Sequence, residues 1–172
     1  MATTETIFVC TPENGSPPAT LSATLDTIED ASTPVGVIHV LDFDATTAEF
    51  YDWFFTVPDN YGGGGFTISW KGGTDNTSVG TFELEVRVVV IADATILTGD
   101  LGLDAATAVA ITDTPPATPI NKMNQSTTGN LSHANAGSPS AGDRVGIRVK
   151  RDTGTDTNTG DLQLLEVLLL ET

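Results

Sequence analysis

Residues Phe50 to Trp70 read Phe-Tyr-Asp-Trp-Phe-Phe-Thr-Val-Pro-Asp-Asn-Tyr-Gly-Gly-Gly-Gly-Phe-Thr-Ile-Ser-Trp, and no other stretch of the chain constrains its fold as much. Two aromatic, β-favouring runs flank a proline and four consecutive glycines. Aromatic side chains fit a pleated, half-buried surface, Pro58 fixes its own φ, and Gly62 to Gly65 accept backbone angles closed to other residues. The block therefore encodes strand, turn and strand. It offers no nucleophile beside a base, no phosphate cradle and no thiol pair, so it points to a structural or binding protein.

The same grammar recurs along the chain. Val35 to Phe43, Phe50 to Val57, Phe66 to Trp70, Phe82 to Ala92, Thr107 to Thr112, Ile120 to Thr127, Arg144 to Arg151 and Leu162 to Glu171 are apolar or alternating, and Gly, Pro, Asn or Asp clusters close each run. Eight such runs are the strand count of a jelly roll. In Phe82-Glu-Leu-Glu-Val-Arg-Val-Val-Val, residues Phe82, Leu84, Val86, Val88 and Val90 share one face and Glu83, Glu85 and Arg87 the other, the pattern of a sheet with one wet side. The predicted fold is all-β: an antiparallel two-sheet jelly-roll sandwich over residues 35–172, preceded by an extended N-terminal arm over residues 1–34. At 172 residues a single sandwich domain is the expectation. The arm contains Pro12, Gly15, Pro17, Pro18 and Pro34 among Thr and Ser. Within it, Thr6 to Val9 can add a strand to a sheet, which makes Ile7, Phe8 and Val9 candidate partner-binding residues. Thr112 to Pro119 and Asn130 to Gly142 read as surface loops.

Charge narrows the partners. Seven basic against 23 acidic residues give a formal net charge of −16. Phosphate would meet such a chain with long-range repulsion, which argues against nucleic acid. Four of the seven bases nevertheless fall together in Arg144, Arg148, Lys150 and Arg151. Alternation places Arg144, Arg148 and Lys150 on one strand face and Val145, Ile147 and Val149 on the other. This basic stripe is either a solvated face or a dock for an acidic surface on a partner subunit. No run reaches the length of a membrane span and the start lacks a basic, apolar leader, so synthesis in a cytoplasm and delivery by assembly are expected, with no membrane partner.

Candidate chemistry fails motif by motif. His39 and His133 stand apart from any nucleophile turn, and with Cys10 as the single cysteine the ligands of a zinc site are missing. Cys10, beside Ile7, Phe8 and Val9, reads as a small buried thiol. Asp152 to Asp161 places oxygens at Asp156, Asn158 and Asp161 at alternating positions but lacks the closing Glu of a calcium loop, so it reads as a polar hairpin connection. No cofactor or metal is expected. Trp53, Tyr61 and Trp70 could stack sugars, although their places in strands favour core duty.

The last strand adds a reason for self-association. Strict alternation puts Leu162, Leu164, Leu168 and Leu170 on one face of Leu162 to Glu171 and Leu165, Val167 and Leu169 on the other, so both faces call for cover. A homo-oligomer supplies it, with Leu168 and Leu170 as candidate interface residues.

The runs His39-Val-Leu-Asp-Phe-Asp-Ala-Thr-Thr, Trp53 to Trp70 and Ala141-Gly-Asp-Arg-Val-Gly-Ile-Arg-Val-Lys-Arg-Asp resemble those of small jelly-roll proteins of tailed-bacteriophage virions, where such domains serve as capsid decoration (cement) proteins or parts of fibres. The resemblance spans about residues 38–171. It implies a virion structural protein without enzymatic activity, a homotrimer contacting the major capsid protein or another shell protein. The alternative is a fibre or lectin-like module recognising host surface glycan.

Overall fold

The computed structural model describes residues 5–95, 97–116 and 120–172. Residues 1–4 of the expected arm and 117–119 of the expected loop lie outside the described residues. The described chain forms eleven strands: β1 (Thr6–Cys10), β2 (Thr24–Glu29), β3 (Val37–Phe43), β4 (Phe50–Thr56), β5 (Phe66–Thr74), β6 (Phe82–Ile91), β7 (Ala108–Asp113), β8 (Asn124–Gln125), β9 (Gly129–Leu131), β10 (Arg144–Arg151) and β11 (Leu162–Glu171).

Two antiparallel sheets face each other. The larger runs β2-β3-β11-β5-β8, with β1 also on β11 and β9 also on β5; the smaller runs β4-β10-β6-β7. Taking β8 and β9 as one broken strand, β3-β11-β5-β8/β9 opposite β4-β10-β6-β7 is the order of an eight-stranded jelly roll. Each of its strands corresponds to one of the eight runs read from the sequence. The expected strand Ile120 to Thr127 survives only as Asn124–Gln125, followed by Gly129–Leu131, because the chain leaves the edge of β5 between them.

The core lies between the sheets. The predicted inward residues Phe82, Leu84 and Val86 of β6 and Val145, Ile147 and Val149 of β10 are fully buried, as are Trp53 of β4 and Trp70 of β5. The glycine run works by close approach. A Cβ on Gly65 would stand 2.5 Å from the Leu131 carbonyl oxygen, and one on Gly64 would overlap the Thr172 carbonyl. The bare backbone of Gly62 and Gly64 donates to the Glu171 carboxylate at 3.1 and 2.9 Å, which ties the turn to the end of β11.

Strict alternation fails in β11. Leu164 pairs with Gly72 and Glu166 with Lys71, so Leu165 is an extra residue, a β-bulge. The bulge reverses the phase: Leu162, Leu164, Val167 and Leu169 point into the core, while Leu168 moves to the outer face with Leu170. Leu168 and Leu170 are half-buried there, so this face is less apolar than the sequence pattern suggests, with Gln163 and Glu166 among its residues.

The N-terminal segment is extended, as expected, but its pairing partners belong to its own chain. β1 pairs with β11 from Thr6–Leu170 to Cys10–Val167, with Phe8 and Cys10 in the core. After a single 3-10 turn at Pro12–Asn14, Ser16 and Asp52 exchange backbone hydrogen bonds of 2.7 and 3.2 Å and Phe50 N–H donates to Leu21, so residues 16–22 run along the edge of β4 in the other sheet. The Trp53 indole donates to the Thr11 carbonyl at 2.9 Å and the Tyr51 hydroxyl to the Pro12 carbonyl at 3.1 Å. β2, which the sequence reading did not anticipate, then returns to the larger sheet and pairs with β3. The segment crosses both sheets, and residue 34 falls in the loop joining two paired strands.

Candidate functional site

The basic stripe is on the outer face of the smaller sheet, where alternation puts it, but it is not free. Arg148 faces Asp52 across β4, and its Nε and Nη2 donate to the two carboxylate oxygens at 2.7 Å each. Nη1 donates to Asp104 Oδ1 at 2.7 Å, and the guanidinium lies 5.5 Å from the centre of the Phe50 ring. These carboxylates, Asp52 first, hold the guanidinium in its charged form still more firmly than usual. Lys150 lies 3.5 Å from Glu85 and 3.4 Å from Asp152. Of the three stripe residues, Arg144 alone is exposed and without an ion pair among the described residues. The cavity beside Arg148, about 270 Å³, is lined by Asp52, Phe54, Asp100, Leu103 and Asp104 among others, so its acidic groups outnumber its one cation, which Asp52 and Asp104 already engage.

The fourth clustered base has a different fate. Arg151 continues the inward phase of Val145, Ile147 and Val149 and is fully buried. Its Nε donates to Asp156 at 2.8 Å, Nη1 to the Phe43 carbonyl at 2.8 Å and Nη2 to the Asn158 carbonyl at 3.0 Å, while the guanidinium lies 4.7 Å from the Phe82 ring centre. Asp156, the first oxygen of the conceivable calcium loop, is thus the counter-ion of a buried guanidinium. Asp161 accepts the Ala45 N–H at 2.8 Å. Among the described residues, no three His, Cys, Asp or Glu side chains gather as a metal site.

The other residues singled out in the sequence have structural roles. Trp53 and Trp70 are 0% exposed and Tyr61 is 7% exposed, which leaves no sugar-stacking platform of these three rings. Burial pushes the Tyr61 hydroxyl up to about 12 and raises the Cys10 thiol well above its ordinary range. His133 Nδ1 lies 3.3 Å from the Tyr61 oxygen and from the Gly64 carbonyl, and His39 is exposed on β3. Asp42, on β3 between β2 and β11, has Oδ1 buried and unpartnered; desolvation first, and then Asp161, Asp75, Asp26 and Glu49, push its carboxyl up to about 6. Of Ile7, Phe8 and Val9, Phe8 is in the core, Ile7 is half-buried and Val9 is 39% exposed beside Leu168.

Several exposed apolar residues lie together on one hairpin. The β2–β3 hairpin reaches beyond the sandwich, with Leu25 53%, Val35 54%, Val37 53% and Ile38 49% exposed. Where β3 and β1 part on the edge of β11, at the Leu165 bulge, the outer face of the larger sheet holds a groove of about 450 Å³ lined by Pro12, Ile38, Lys71, Met123, Leu165 and Glu166 among others. Met123 is 61% exposed, and Lys71 donates to Glu166 at 2.6 Å. The sequence held no strand signal for β2: its two apolar residues, Leu25 and Ile28, lie three apart, a spacing that matches no strand period.

No protein-family model and no curated protein matches the chain. Among solved structures, the chain is similar to part of a cycloisomaltooligosaccharide glucanotransferase from Paenibacillus sp. complexed with cycloisomaltoheptaose, at 14% identity and a TM-score of 0.44 over 93% of this chain and 19% of that one. It is also similar to the K1 cleaved adhesin domain of Lys-gingipain from Porphyromonas gingivalis W83, at 15% identity and a TM-score of 0.42 over 98% and 99% of the two chains. The chain spans about a fifth of the glucanotransferase. Likeness at this level is one of all-β architecture alone.

Proposed function

We propose that the protein is a non-enzymatic structural component of a phage virion, a decoration or cement protein that assembles as a homotrimer on the shell. The setting rests on the sequence resemblance over about residues 38–171. The observation that carries an assembly role is the β2–β3 hairpin, whose Leu25, Val35, Val37 and Ile38 stay about half exposed while Arg148, Lys150, Arg151 and Asp156 are engaged inside the fold. Exposed apolar residues grouped on one edge hairpin of a sheet are the kind of surface that a neighbour covers.

The test compares particles with and without the protein. A cement occupies symmetry positions of the shell in negative stain, and particles lacking it release DNA at lower temperature while host adsorption is unchanged. Particles that are equally robust but fail to adsorb would overturn this reading in favour of a receptor-binding module at a fibre or tail tip.

A further inference from the structure

We infer that Asp42 and Gln163 form a proton-dependent latch on the seam between β3 and β11. The protonated Asp42 carboxyl donates to the Gln163 side-chain carbonyl and holds the β2–β3 hairpin on the larger sheet; loss of the proton loosens it. The latch is a property of the fold and does not depend on the assembly role proposed above.

The seam is narrow. β3 pairs with β11 at Phe43–Leu162, Asp42–Gln163 and Leu41–Leu164, and with β2 on its other edge. The flanking pairs put four side chains in the core, so Asp42 and Gln163 alternate to the outer face. Residues directly opposite in an antiparallel pair hold their Cβ atoms about 4.5–5.5 Å apart, which makes these two polar groups neighbours. Past Leu164 comes the bulge at Leu165, and from Val167 onward β1 takes this edge of β11. One polar pair therefore sits in the middle of the short join that carries the hairpin.

Neither group has its donor. Asp42 Oδ1 and Gln163 Oε1 are both closed to solvent and both without a hydrogen-bond partner. Gln163 is 9% exposed, and beside it a Cβ on Gly73 would stand 3.0 Å from the Lys122 carbonyl oxygen, so the backbone there covers that end of the row. A hydrated cation or a partner's side chain does not reach oxygens closed in this way. A proton does. Buried acceptors left unpaired are costly, and a single proton taken from solvent onto Oδ1 turns one acceptor into a donor and satisfies both. The surroundings favour that form. Burial first, and then repulsion from Asp161 before β11, Asp75 after β5, Asp26 on β2 and Glu49 before β4, raise the Asp42 carboxyl to about 6. The latch is closed below that pH and open above it.

Hydrogen exchange on the full-length chain, read by mass spectrometry and corrected for intrinsic rates, tests this with β10 as internal reference. Between pH 8 and pH 5, peptides covering residues 24–43 should gain about three- to tenfold protection relative to β10, the range one net hydrogen bond supplies. Asp42→Asn donates at every pH, so it should show the high protection at both. Gln163→Met keeps the bulk and the dryness but lacks the oxygen. In this variant the gain should vanish, and the Asp42 carboxyl, followed by carbon-13 NMR, should titrate lower than in the wild type. Burial without proton sharing would leave that titration in place or move it up, and this result would overturn the inference. Protection that ignores pH in the wild type would overturn it too. So would a wild-type Asp42 that titrates at or below its ordinary value of about 4, because the Gln163 amide would then be donating to the carboxylate.

Discussion

Replacing Asp156 by Ala should be among the most damaging single changes outside the aromatic core. Asp156 is the carboxylate partner of Arg151, and their side chains are 2% and 0% exposed. Removing the acid leaves a guanidinium in a dry site with two backbone carbonyls and the face of Phe82 as its remaining company. Breaking one partner of a buried pair costs about 3–5 kcal/mol, since the other charge is left without compensation. For a chain of this size each kcal/mol lowers Tm by about 2–4 °C, so the loss should be about 6–20 °C in a thermal melt followed by circular dichroism. Arg151→Met in the Asp156→Asn background should cost clearly less than the sum of the two single changes, because the charge and its partner disappear together. Chelators should leave the wild-type melt where it is. A loss below about 1 kcal/mol for Asp156→Ala, the figure for an exposed ion pair, would refute the reasoning and reopen the loop as a ligand site.

Three further outcomes follow from the same geometry. Deleting residues 1–34 should abolish folding, as seen by loss of the cooperative melt, and Phe8→Ala alone should cost about 3–5 kcal/mol as a cavity in the core. The Asp42 carboxyl sits above its ordinary value, so the folded state holds that proton more tightly than the unfolded state does. Its contribution to stability is therefore greatest below pH about 4 and declines as pH rises through about 6; Asp42→Asn should remove that slope from urea midpoints and gain on the order of 1 kcal/mol at pH 7, after discounting for partial exposure. Cys10 should resist thiol reagents in native buffer and react at the rate of global unfolding, since burial both hides it and disfavours its thiolate.

The eight jelly-roll strands were legible because each apolar or alternating run ends at a Gly, Pro, Asn or Asp boundary, and β6 and β10 alternate without interruption. The alternation that exposed Arg144, Arg148 and Lys150 also sends Arg151 inward, and the acid-rich segment after it names the source of a counter-ion. The pairing of Arg148 was not legible: Asp52 and Asp104 are 96 and 44 residues away and meet it only through the β4–β10 register and the loop before β7. The bulge at Leu165 was hidden as well, because a run of leucines looks alike in either phase and only the pairing with Gly72 and Lys71 fixes it. The N-terminal segment looked like a detached arm because prolines and threonines carry little strand signal. Its place is set by distant partners, above all the Trp53 indole and the backbone of β4.

β11 is the spine of the larger sheet, touching β5 along one edge and β3 and then β1 along the other. It also follows all of them in the chain. As the polypeptide leaves the ribosome, β1, β3 and β5 have no common neighbour until residues 162–171 emerge, so half the sandwich cannot form by local pairing. Topologies dominated by such distant contacts fold in milliseconds to seconds and expose strand edges while they wait. Production of this protein should therefore depend on how long that waiting chain stays soluble, and its dense negative charge keeps early chains apart until the last strand arrives.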